Sequence, residues 1–165
     1  MPFLSTPLTI SATGSIGISA WVSGGIGALS FCAIPAILQV RGAPADGLAQ
    51  AWSAQFGRAL YMPAAAVAAA LNYLYLAHRH RAARREWRGY AAAGAANLLL
   101  VPFTLVFIGG INGVLLSSLP GAEGRKILSL DMVRHLIERW GDLNFYRIFM
   151  PLAGAGLGLW NLLSE

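Results

Sequence analysis

Four long apolar stretches, at about 15–38, 52–77, 90–116 and 143–163, alternate with short polar ones. Each is long enough for the roughly 20 residues that cross a bilayer as helix. The predicted fold class is all-α: a polytopic membrane protein, one four-transmembrane-helix bundle over 1–165, with an amphipathic helix before the last span. Residues 1–14, with Pro2 and Pro7, read as a tail. The first span is rich in Gly and Ser, which let helices approach closely in lipid, and Pro35 is expected to kink or end it. The segment VRGAPADGL at 40–48 reads as a turn-rich loop. In the second span Trp52 and Tyr61 suit the interfacial aromatic belt, and AAAVAAA at 64–70 offers a smooth packing surface. The third is too long to stand upright, which predicts tilt or a break at Pro102 or Gly109-Gly110. A loop at 118–130 follows, with Asp131 as the expected cap of the amphipathic helix.

The stretch 136–160, LIERWGDLNFYRIFMPLAGAGLGLW, changes character part-way. At about 100° per residue, Trp140, Asn144 and Arg147 fall within roughly 60° of arc. Val133, Leu136 and Pro151 project the same way, and Asp131, Arg134, His135, Glu138 and Asp142 point oppositely. Asn144 and Arg147 therefore sit on the apolar face, where a polar group is costly and marks a candidate site. The plainer alternative is an interfacial anchor, with Arg147 snorkelling to headgroups.

Composition agrees with a membrane chain: 56% of residues are hydrophobic and 12% charged, against about 25% charged in soluble domains. The net charge of +5 comes largely from arginines that flank spans, five of them in HRHRAARREWR at 78–88. That pattern sets topology rather than binding nucleic acid, and it places the termini and the 78–88 loop in the cytosol. The loops 39–51 and 118–142 then lie on the other side. The absence of a basic segment before the first span argues against a cleaved signal. Cys32 lies in an apolar stretch and has no cysteine with which to pair.

The asparagines divide by depth. Asn72 and Asn97, near the cytosolic side, are expected to hydrogen-bond across helices as structural glue. Trp52, Gln55, Asn112, Trp140, Asn144 and Arg147 converge near the other side. Two indoles, three amides and a guanidinium would suit a flat aromatic ligand with phenol and carbonyl groups. His135 is the nearest conventional base, but on a continuous helix it projects about 140° from Trp140; a break at Gly141 would overturn that. His78 and His80 are expected in solvent. No metal-ligand spacing, dinucleotide fingerprint or Walker A is present. Haem ligation by a histidine stays open, although the apolar spans hold no paired histidines. The glycines at 154, 156 and 158 read as packing residues.

At Trp140-x3-Asn144-x2-Arg147, followed by PLAGAGLGLW, the chain resembles the DUF1772 family, in particular its fungal anthrone oxygenase-like members. The resemblance extends to PFTLVFIGGINGVLL, where Asn112 stands in a partly matched Asn motif. It implies oxidation of an anthrone to an anthraquinone by O2 in polyketide biosynthesis, without flavin or nicotinamide. It also implies a polycyclic aromatic substrate and, in a fungus, an endomembrane or ER location. On that reading Arg147 and Asn144 are catalytic with His135 as the weak candidate base. Trp140, Asn112, Trp52 and Gln55 bind substrate. The alternative is a non-catalytic four-helix membrane protein that binds a lipid, a quinone or a partner enzyme. A transporter is a weaker third, since no inverted repeat is visible. The small-residue faces allow a homo-oligomer.

Overall fold

The computed structural model describes residues 6–164, all of whose regular structure is helical. Four helical rods follow one another, three of them interrupted. The first is α1 (Thr6–Ala28) and α2 (Ile34–Leu38), joined by a π-helical turn at Leu29–Ala33. The second is α3 (Ala45–Ala59) and α4 (Tyr61–Ala82). The third is α5 (Arg88–Leu98), α6 (Leu100–Phe103) and α7 (Gly109–Ser118), with a π-helical turn at Thr104–Ile108 between the last two. The fourth, α8 (Leu130–Leu163), is continuous despite Pro151 and Gly141.

The interruptions follow proline chemistry. A proline lacks the N–H and crowds the carbonyl four residues back. Pro35 stands just after the first π turn, Pro63 four residues after Ala59 where α3 ends, and Pro102 four residues after Leu98 where α5 ends. The third rod breaks twice near the expected positions, at Leu99 ahead of Pro102 and in the π turn Thr104–Ile108 ahead of Gly109-Gly110, whereas the break before Pro63 has no counterpart in the sequence reading.

Several predicted boundaries shift. The tail is helical from Thr6 onward; residues 1–5, with Pro2, lie outside the described residues. The 39–51 loop is helical from Ala45, because Pro44 takes an extended conformation ahead of it and Asp46 lies in the first turn. Asp46 is also held by Arg125 Nη2 at 2.6 Å. In the 78–88 segment α4 runs on to Ala82. The cap of α8 is Ser129, whose side chain accepts from Met132 N, and not Asp131, which occupies the first turn.

Among the described residues three helical stretches are long and apolar enough to cross a membrane: Pro7–Leu38, Ala45–Ala82 and Arg88–Ser117. The fourth expected span falls short. The N-terminal half of α8 is charged, and after Arg147 the uncharged run left in the helix is 148–163, shorter than the roughly 20 residues typical of an upright span.

The rods associate mainly through α1 with α8 and α4, and through α5 with α4 and α8. Two apolar clusters result. One joins Leu8, Tyr73, Leu76 and Tyr90, with Leu162 against it, and so gathers the start of α1 and the end of α8. The other, larger one contains Ile26, Trp52, Ile108, Val133 and Trp140.

Asn72 ties α4 to α1 as expected. It accepts from Ser11 Oγ at 2.8 Å and donates to Ser11 O at 2.9 Å and Ser15 Oγ at 2.7 Å. Asn97 does not bridge helices; its Nδ2 turns back to Ala93 O in its own helix and the side chain lies against Gly154. Gly154 and Gly158 are close-approach positions, the latter beneath the Tyr73 ring, while Gly156 faces open space and carries no packing role. His80 is fully buried, not solvated, and its ring meets Tyr90 edge-on at 5.0 Å.

Candidate functional site: a polar-walled cavity at the helix breaks

The interrupted parts of the rods face a cavity of about 140 Å³. From α1 and its π turn come Ile26 and Leu29; from the α3–α4 break, Phe56, Ala59, Leu60, Met62 and Pro63. The second π turn and α7 supply Thr104, Ile108 and Asn112, and α8 supplies Trp140, Asn144 and Arg147. Leu60 is 57% exposed, which puts the mouth at the α3–α4 break. π turns recur at functional sites because the widened turn re-aims side chains. Here both reach the cavity wall, the first through Leu29 and the second through Thr104 and Ile108.

The polar wall is a connected chain of hydrogen bonds. Arg147 Nη1 donates to Asn144 Oδ1 at 2.7 Å, and Asn144 Nδ2 donates to Trp140 O at 2.8 Å. Trp140 Nε1 then donates to Asn112 Oδ1 at 2.9 Å. Because an indole N–H can only donate, it orients the Asn112 amide and leaves the Asn112 NH2 as a donor at the cavity wall. Asn144 is fully buried and Arg147 nearly so. Arg147 Nε is buried without an acceptor, and no carboxylate among the described residues lines the cavity. A buried cation left without a counter-ion favours an anionic or anion-forming ligand.

The helical-face prediction therefore holds for Trp140, Asn144 and Arg147, with Asn112 joined to them from another rod. The convergence expected from depth does not include Gln55, which is exposed and outside the lining. One turn position along α3, Phe56 lines the cavity instead. Trp52 is neither an interfacial ring nor a lining residue. It is fully buried behind the wall, edge-on to Trp140 at 5.9 Å and stacked on Phe56 at 5.1 Å. His135 is exposed on the far face of α8, outside the cavity, because α8 continues unbroken through Gly141. Phe56, Met62, Thr104 and Ile108 escaped sequence reasoning. Their only signal was proximity to Pro63 and Pro102, whose effect on the lining depends on where each break lands. Among the described residues no three His, Cys, Asp or Glu side chains cluster as metal ligands, and no histidine lines the cavity.

A family model described as anthrone oxygenase matches residues 52–157. The chain belongs to the anthrone oxygenase family. The anthrone oxygenase gedH of Aspergillus terreus is 36% identical over 138 residues, 83% of this chain and 89% of its own. The anthrone oxygenase AgnL2 of Paecilomyces divaricatus is 30% identical over 171 residues, covering 98% of this chain and 100% of its own. The monooxygenase hypC of Dothistroma septosporum is 30% identical over 140 residues, 84% of this chain and 75% of its own. No solved structure matches this chain. Within the anthrone oxygenase match lie every cavity-lining residue except Ile26 and Leu29.

Proposed function

We propose that the protein oxidises an anthrone-type polycyclic phenol to the anthraquinone with O2 in polyketide biosynthesis, using the cavity bounded by Asn112, Trp140, Asn144 and Arg147. The carrying observation is the buried Arg147 guanidinium, which among the described residues is hydrogen-bonded to a neutral amide and meets no carboxylate in the cavity lining. Family membership supplies the reaction class.

The chemistry balances with O2 as the oxidant. An anthrone loses a proton from its ring methylene and becomes an electron-rich enolate. The enolate passes an electron to O2, the two fragments join as a carbon-bound hydroperoxide, and loss of water leaves the second carbonyl. One O2 is consumed and one H2O released per anthrone, and no bound redox group is needed. Arg147 stabilises the enolate oxygen, since a donor held in a dry site favours developing negative charge without reorganising. The Asn112 NH2 and Asn144 orient the carbonyl and flanking hydroxyls, and the Trp140 indole forms an aromatic wall backed by Trp52. His135 has no part in this scheme; a phenolate of the substrate or a water takes the methylene proton.

In this reading α8 also crosses the bilayer, as the fourth span. Its charged outer face meets the interface, and its inner face is covered by α1 and α5. The termini and the 78–88 segment face the cytosol, and in a fungus the membrane is an endomembrane.

Oxygen uptake by the purified protein on addition of emodin anthrone, compared with the spontaneous rate, tests the proposal. Uptake above that rate with anthraquinone formed in equal amount is expected. A rate equal to the spontaneous one would leave a non-catalytic binding protein.

A further inference from the structure

The cavity is small for a tricyclic ligand, since sites for drug-sized molecules start at about 300 Å³. The geometry points to Gly25, a residue outside the lining, as the position that sets how large a ring system the site accepts, acting through Met62. This rests on the proposed function only for the class of substrate.

Met62 lines the cavity from the first turn of α4. Its side-chain end lies over Gly25 of α1: a Cβ on Gly25 would stand 2.7 Å from Met62 Cε and 3.3 Å from Sδ. The other glycines of α1 meet nothing nearer than 3.7 Å. The space left by the missing methyl at position 25 is thus occupied by the end of Met62, a residue that also borders the cavity. Met62 is unbranched, with three rotatable bonds, and re-packs readily. A methyl at Gly25 would displace its end, and because Met62 borders the cavity, the cavity is a space that end can enter. Ile26, the next residue, is a cavity wall, so α1 has little room to retreat without disturbing the same site.

The test uses the full chain in nanodiscs, with the Gly25→Ala, Met62→Ala and Gly25→Ala/Met62→Ala variants. Binding of 1-naphthol (two rings), 9,10-anthraquinone (three) and 5,12-naphthacenequinone (four) is read by quenching of tryptophan fluorescence, alongside KM and kcat for emodin anthrone. Gly25→Ala is expected to weaken anthraquinone binding and raise KM at least about tenfold, with 1-naphthol binding changed less than about twofold. The double variant restores anthraquinone binding, and Met62→Ala tightens binding of the four-ring quinone. Wild-type affinity for anthraquinone in Gly25→Ala, no rescue in the double variant, or no binding of any probe to the wild type overturns the inference. Loss of all three probes together in Gly25→Ala, again without rescue, would mark a folding defect instead of a size effect and also overturn it. If the wild type binds the probes in this order but turns over no anthrone, the oxygenase reading fails while the size rule stands.

Discussion

Trp140 Nε1 donates to Asn112 Oδ1 at 2.9 Å, joining the charged half of α8 to α7 within the cavity wall. Loss of the acceptor strands an indole N–H whose ring is 2% exposed. Asn112→Ala should therefore destabilise the protein by about 1–3 kcal/mol. Trp140→Phe, which removes the donor, should recover part of that loss in the double variant, as coupled partners do. Thermal unfolding in one detergent, across the four-member cycle, measures the coupling; strictly additive losses would mean that the bond contributes nothing.

Arg147 should separate chemistry from folding. Arg147→Ala removes the proposed stabiliser of the enolate oxygen, and turnover should fall by about 10²–10³-fold, as for loss of a preorganised donor. Arg147→Lys keeps the charge but loses the planar fork, so it should fall between the two. Turnover per folded molecule, with folded protein counted by size-exclusion chromatography, is the quantity to compare. Parallel losses of turnover and yield would make the residue structural.

The exposed His135 gives the converse case. His135→Ala should leave kcat and KM within about twofold, because a surface substitution away from any site has little effect. A pH–rate profile of this variant that loses an ionisation present in the wild type would return His135 to the mechanism and require α8 to rearrange.

Asn72, on α4 and outside the cavity lining, bonds twice to Ser11 and once to Ser15. Asn72→Ala should lower stability by about 1–2 kcal/mol, near the upper range for interhelical hydrogen bonds in membranes. It should leave the KM for anthrone unchanged. Unfolding in mild detergent and steady-state kinetics on the same preparation distinguish this from a substrate role.

Periodicity and composition made the all-α membrane class legible, along with the inward face of α8. A 3.6-residue repeat determines which side chains share a face whatever surrounds them. Trp140, Asn144 and Arg147 could thus be grouped before any partner was known, and His135 set apart from them. Span lengths were less secure: Arg147 and the acidic residues of α8 divide its apolar run, and sequence alone does not show how much of a helix its neighbours cover. Gln55 and Phe56 are adjacent in the chain, and rotation of α3 about its own axis turned Phe56 to the cavity and Gln55 away from it. Trp52 lies behind Trp140 because the two rods cross there. Neither outcome follows from local pattern, since packing among rods sets the rotation and crossing of each. The cavity has the same origin. Pro35, Pro63 and Pro102 are visible as letters, but that their interruptions surround one hollow, walled by Asn112 and Arg147, depends on four rods meeting at matching heights.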